Sequence, residues 1–278
     1  MFEPVQPVQA APPASSGLVR SALTPNDGER WQNGMAWRPE RCPLARGFDP
    51  CGDDAGFEDP GVGAGDSGVV YYRPMAFRVE DRCSTRSRGD DGRTRRQALA
   101  VTSYMVAREL LTGELSDAQP YETPDSAGVA DQVNARLASA SANTIAGTFD
   151  PLSGIGTLEE AARDVSLGQD VFIHVPLSVV PLIDGALRRE GQLLFTKTGA
   201  TVVADAGYSN VGPDGNPATG GVWAYATGPV QVRLGDVLTG QVTDYRVNEI
   251  VNYADRLFAA TFDPCNLHAL TIATPATS

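Results

Sequence analysis

The parts from which this chain could build chemistry are few. Its histidines are His174 and His268, and its cysteines are Cys42, Cys51, Cys83 and Cys265. An imidazole titrates near neutrality and serves as a general acid or base when it faces a substrate. His174 lies within VFIHV (171–175), an apolar run, where an imidazole satisfied in a core or interface fits better than a catalytic base. His268 follows a Phe-Asp-Pro turn at 262–264. The cysteines contain no C-x-x-C and match no common zinc spacing. Free, mostly buried thiols are the simplest reading; pairing after release from the cell is the other, with Cys42 and Cys51 closest in sequence.

No G-x-S-x-G, H-E-x-x-H or G-x-x-x-x-G-K-[ST] occurs. The glycine clusters at 52–68 and 212–221 do not follow the strand, G-x-G-x-x-G, helix order of a dinucleotide site. The acidic loop 52–68 lacks the D-x-D-x-D-G spacing of a calcium loop and reads as solvated. Glu109 and Glu160 fall on helices as ordinary surface charge, and sequence cannot set two carboxylates at the ~5–10 Å that glycoside hydrolysis uses. The expectation is a chain without catalytic residues, metal or cofactor.

Composition narrows the class further. The 278 residues suffice for one large domain or two modest ones. With 29 glycines and 20 prolines the chain is rich in turn formers, which disfavours a helical bundle. The formal charge is -12 and Lys197 is the single lysine, so there is no basic tail to displace phosphate counterions. Sequence-specific nucleic-acid binding is disfavoured. No apolar run approaches the ~20 residues that span a bilayer. Met1 to Gly17 lacks the basic and apolar regions of a secretory signal, so cytoplasmic synthesis is expected.

The elements that must position any site follow from periodicity. Residues 1–30, rich in Pro, Ala, Gln and Ser, should be extended. Trp31 and Trp37 lie in a turn-rich segment yet carry large apolar areas, so they must be buried, against the chain's own core or a neighbouring molecule. Val69 to Tyr72 and Phe77 to Val79, divided by Pro74, read as an edge strand or ribbon that carries Tyr71, Tyr72 and Phe77. The clearest helix spans about Thr94 to Thr112, with Ala98, Val101 and Met105 on one face, Leu99, Val106 and Leu110 on the adjacent one, and Gly113 as its stop. Arg93, Arg95 and Arg96 crowd its N-terminus, where the helix dipole disfavours cations. They either form a solvated charged turn or pair with carboxylates of another subunit.

Further helices are expected at about Ala127 to Ser141 and at Leu158 to Leu167, the latter with a Thr157/Glu160 capping box, closed by Gly168. A short helix near Ser178 to Arg188 follows the 171–175 strand. Residues 192–208 read as a hairpin turning near Thr198–Gly199, and 221–234 as one or two strands. Asn248 to Ala259 reads as a final helix and Ala269 to Ala273 as a closing strand. Phe-Asp-Pro recurs at 48–50, 149–151 and 262–264 with unequal spacing: an aromatic anchor and an Asp-Pro turn at element boundaries, not a repeat.

This order of an extended arm, an acidic ribbon loop, one long helix and a mixed α/β remainder resembles the capsid fold of tailed-phage heads and encapsulins, the Hong Kong-phage type. WQNGMAWRPERC (31–42), AFRVEDRC (76–83), LLFTKTGATVVADAGYSNVGPDG (193–215) and NYADRLFAATFDPC (252–265) look like segments of phage head proteins. The resemblance implies an α+β fold with an N-arm over neighbours at 1–50, an E-loop ribbon at 51–92 and a peripheral domain with its spine helix at 93–150. It implies a mostly axial domain at 151–245 and a return to the peripheral sheet at 246–278. The implied function is a major capsid protein that forms hexamers and pentamers in an icosahedral shell around DNA, with decoration, portal or scaffolding proteins as further partners. Trp31, Trp37, Tyr71, Tyr72, Phe77, Arg93, Arg95 and Arg96 would then lie at subunit contacts. The ribbon region has no lysine for the covalent crosslink of some family members, so non-covalent closure is expected. Competing readings are another virion part (head–tail connector, tail tube, decoration protein) or a hydrolase or carbohydrate-binding module.

Overall fold

The computed structural model describes residues 17–25, 31–33, 35–37, 70–84, 91–118, 134–166, 170–247 and 249–275. They form an α+β architecture of two main sheets that meet around one long helix. The strands are β1 (Met35–Trp37), β2 (Val70–Tyr72), β3 (Met75–Ser84), β4 (Asn143–Phe149), β5 (Phe172–Pro176) and β6 (Leu187–Glu190). They continue with β7 (Leu193–Thr196), β8 (Thr201–Asp205), β9 (Gly221–Thr227), β10 (Gln231–Asp244), β11 (Glu249–Thr261) and β12 (His268–Ala273). The helices are α1 (Leu18–Ser21), α2 (Asp91–Thr112), α3 (Glu114–Ala118), α4 (Pro151–Ser166) and α5 (Val180–Ile183).

The larger sheet has seven strands in the order β4-β12-β9-β5-β8-β7-β6. Its central strands are apolar along their length because both faces are covered. Side chains alternate between faces, so Ile173, Val175 and Val202 meet Ile155, Leu158 and Ala162 of α4. Phe172, Val203 and Tyr225 point the other way, into the core that surrounds α2. The second sheet, β10-β11-β3, is antiparallel and adds Phe77, Ala254 and Phe258 to that same core. Helix α2 thus lies between two sheets and buries Ala98, Thr102, Val106 and Leu110 at successive i, i+4 positions. Gly113, at φ +68°, ends it in a conformation that side chains with a Cβ disfavour.

Several expectations hold: the 171–175 strand, the hairpin turning at 198–199, the strands within 221–234 and the closing strand. Others need correction. Residues 249–261 form β11, not a helix, because Ala254, Leu257 and Phe258 mimic a helical i, i+3, i+4 face while burial follows the alternation Asn252, Ala254, Phe258. Residues 134–141 form turns instead of completing a helix; 127–133 lie outside the described residues. Helix α4 begins at Pro151, seven positions before the expected Leu158, so Thr157 and Glu160 are interior. Its cap is Asp150, whose Oδ1 accepts hydrogen bonds from the Leu152 and Ser153 amides at 3.1 and 3.2 Å. The described Phe-Asp-Pro units at 149–151 and 262–264 do stand at element boundaries. The closing strand β12 does not join the β3 sheet: it inserts between β4 and β9, while β11 pairs with β3 and β10 lies on the far side of β11.

Candidate assembly surface

Neither histidine is placed for catalysis. His174 is 1% exposed, its Nδ1 sits 2.8 Å from the Tyr208 hydroxyl and its Nε2 3.0 Å from Thr227 Oγ1. Burial pushes its pKa down to about 3, so the ring is neutral and both nitrogens are engaged. His268 is also buried, and burial lowers its pKa. Among the described residues no cluster of three or more His, Cys, Asp or Glu could hold a metal. Cys83 lies in β3 opposite Ile250 and Cys265 in the turn after β11, while Cys42, Cys51 and the acidic loop 52–68 lie outside the described residues.

The expectation of an extended segment over 1–30 is corrected in part. Residues 18–21 form α1, and residues 17–25 fold onto the chain's own body. Leu18 is fully buried and its amide donates to Asp205 Oδ2 at 2.9 Å. The same oxygen accepts from Ser103 Oγ of α2 at 2.6 Å, and Oδ1 accepts from the Gly207 amide at 2.9 Å. Farther on, the Leu23 amide donates to Val230 O and Leu23 O accepts from the Val232 amide, both at 2.9 Å. This short strap therefore spans from the end of β8 to the outer edge of β10. The physical reason joins a local pattern to a distant partner: Leu18 and Ala22 share a face one turn apart, and the buried Asp205 carboxylate accepts the first free helical amide.

The sequence-predicted contact residues divide into three groups. Tyr72 is 1% exposed and its hydroxyl donates to Phe262 O at 2.6 Å, while Phe77 is buried beside Phe258. Both are absorbed by the chain's own core and do not face outward. Trp31, partly buried in a 3-10 turn, precedes β1, where Trp37 pairs with Val70 and Ala36 with Tyr71. Residues 35–37 and 70–72 are thereby joined in one small antiparallel sheet. Arg93, Arg95 and Arg96 are exposed on the first turns of α2, and Arg93 reaches Asp81 of β3 at 3.6 Å, a carboxylate of its own chain. Such an exposed pair contributes little to stability.

Sequence reasoning missed a cluster of exposed apolar side chains on the outer half of the β10–β11 hairpin. A bulge at Gly235–Asp236 separates it from the half that packs on α2. Beyond the bulge Leu238, Val242, Tyr245 and Val247 are 60%, 54%, 88% and 60% exposed. On the same sheet face, Arg78 grips Asp255 with two hydrogen bonds of 2.7 and 2.8 Å and lies 4.4 Å from the Tyr253 ring centroid. The signal was present in VLTGQVT (237–243), an uncharged β-rich run bounded by Asp236 and Asp244.

No family model matches the chain, and no curated protein matches it. Solved structures do. The capsid of Ralstonia phage GP4 superposes with a TM-score of 0.55 at 11% identity, covering 100% of this chain and 96% of that one. The capsid of an empty GTA particle gives 0.56 at 7% identity, covering 99% and 95%. A structure of Mycobacterium phage Ogopogo gives 0.52 at 12% identity, covering 98% and 97%. Identity this low carries no residue-level correspondence, but the match runs over nearly the full length of both chains. The protein has the α+β fold of tailed-phage capsid subunits.

Proposed function

We propose that the chain is the major capsid subunit of a tailed bacteriophage, a non-enzymatic building block that closes an icosahedral shell around DNA. The observation that carries this reading is the two-way, near-complete coverage by capsid structures. A connector or carbohydrate-binding module would have no reason to share that whole architecture. In this reading hexamers and pentamers of the chain form the shell, residues 1–50 are its N-arm and 51–92 its E-loop ribbon. Residues 93–150 carry the spine helix α2, and 151–245 are mostly axial. The remainder, 246–278, divides: β11 completes the sheet of β3, and β12 the seven-stranded sheet. Trp31, Trp37, Tyr71, Arg93, Arg95 and Arg96 serve subunit contacts, leaving Tyr72 and Phe77 to the core. With no lysine in the ribbon the shell closes without covalent crosslinks. It is made in the host cytoplasm and resides in the virion, where decoration, portal or scaffolding proteins join it. Purified protein examined by size-exclusion chromatography and negative-stain microscopy tests this. Closed shells support it; rings, tubes or a persistent monomer overturn it.

A further inference from the structure

In the two larger sheets three edge strands are guarded and one is not. An open strand edge invites pairing with another chain unless charge, a bulge or a covering segment prevents it. Strand β6 carries Arg188, Arg189 and Glu190. Strand β3 carries Arg78, Glu80, Asp81 and Arg82. Strand β4 is broken by a register shift against β12 between residues 144 and 148. Strand β10 is different. From Val237 to Thr243 it is regular against β11, uncharged and without proline. Its inner portion is already an acceptor of backbone pairing, since Leu23 bonds to Val230 and Val232 there.

We propose that this edge, Val237–Thr243, pairs antiparallel with the same strand of a second copy about a two-fold axis at Gly240, joining two three-stranded sheets into one of six. The inference rests on the self-assembling reading above and adds the surface. Its occupant is fixed by the strand's self-complementarity. With the axis at Gly240, Leu238 of each copy faces Val242 of the other on one side of the sheet, and Thr239 faces Gln241 on the opposite side. Over Leu238–Val242 apolar meets apolar and neutral polar meets neutral polar; Val237 meets Thr243 at each end, and Asp236 of one copy beside Asp244 of the other confines the pairing to this strip. Two copies that each carry a charge of -12 repel over most of their surfaces, so an uncharged strip is where they can approach. The axis residue suits the role. A Cβ at Gly240 would come within 2.4 Å of the Tyr253 ring, so the ring lies flat over the glycine and the sheet stays thin at the crossing. The exposed Leu238 and Val242 lose their water contact on pairing.

Two variants test this. Leu238→Lys/Val242→Lys places lysines opposite one another across the axis at positions already exposed, so the subunit's own melting stays unchanged while the protein concentration needed for assembly rises about tenfold or more. Thr239→Cys/Gln241→Cys forms an intermolecular disulfide on mild oxidation, mapped by peptide mass analysis to a 239–241 linkage, because directly paired strand positions lie within disulfide reach at about 5.5 Å. Either single cysteine leaves that linkage absent. If the wild-type protein forms shells and the lysine variant forms them equally well at the same concentration, or the double-cysteine shells contain no 239–241 linkage, the pairing is wrong although the capsid reading stands. If the wild-type protein forms no shell, the capsid reading fails. The cysteine pair then still decides on its own: a 239–241 linked dimer in concentrated solution supports the pairing, and its absence overturns it.

Discussion

The strap over residues 17–25 makes a sharp quantitative prediction, because one buried carboxylate holds it. Asp205 is 4% exposed and accepts three hydrogen bonds, from the Leu18 amide, Ser103 Oγ and the Gly207 amide. Asp205→Asn keeps the volume but replaces one oxygen by an NH2 that has no lone pair to offer. Whichever way the amide turns, a donor confronts a donor: at Oδ1 the Gly207 amide, at Oδ2 the Leu18 amide, which is itself buried. Hydrogen bonds to a charged group contribute about 1.5–3 kcal/mol each, and leaving a buried donor unsatisfied costs about 1–3 kcal/mol. Allowing for rotation of the Ser103 hydroxyl, the expected loss is about 3 kcal/mol, or roughly 6–10 °C in Tm for a chain of this size. The assay is denaturant unfolding of the unassembled subunit, with hydrogen exchange read at the Leu18 amide. Protection at that amide should collapse in the variant while the β5 amides stay protected. A variant within about 0.5 kcal/mol of wild type, with Leu18 still protected, refutes the claim that Asp205 anchors the strap.

Other outcomes follow from the same geometry. His174 is held neutral in the fold with its pKa pushed to about 3, whereas an unfolded imidazole takes up a proton near 6.5. The unfolded state therefore binds more protons between those values, and stability declines by about 1.4 kcal/mol per pH unit as pH falls from 6.5 toward 3. His174→Asn should flatten that part of the pH profile in urea titrations. Leu158→Ala empties a fully buried site under α4 and should cost about 2–5 kcal/mol in equilibrium unfolding. Arg95→Glu, on the exposed first turn of α2, should leave the melting temperature unchanged yet reduce particle yield in sedimentation assays. Unchanged yield removes that arginine from the contact surface.

Strong local signals made much of the fold legible. The long helix could be read because Ala98, Val106 and Leu110 keep a helical period up to a glycine that stops it. The hairpin across 198–199 could be read because turn chemistry and β-branched runs coincide. Where the sequence misled, tertiary context had overridden a local pattern. The apolar residues of 249–261 fit a helix as well as a strand, and only the presence of β3 and β10 on either side decides between them. The capping box at 157–160 is a sound motif, but Asp150 and Pro151 offered a better start one strand end earlier. The strap was hidden for a different reason: its ordering depends on Asp205, 187 positions from Leu18, and no local pattern announces such a partner. Contact residues were legible only as types. Tyr72 and Phe77 have the aromatic surface that interfaces favour, and that same property drew them into the core.

The insertion of β12 has a consequence for how the molecule comes into being. This strand, residues 268–273, supplies the only partner of β4 and the second partner of β9 among the described residues. Everything made before it on the ribosome has an unclosed gap across the largest sheet. Final consolidation thus waits on the pairing of β12 with β4, separated by more than a hundred residues along the chain, the kind of topology that folds slowly. A nascent chain short of residue 273 would display β4 without its partner and β9 open along one edge, so chaperone engagement should be strongest until β12 has emerged.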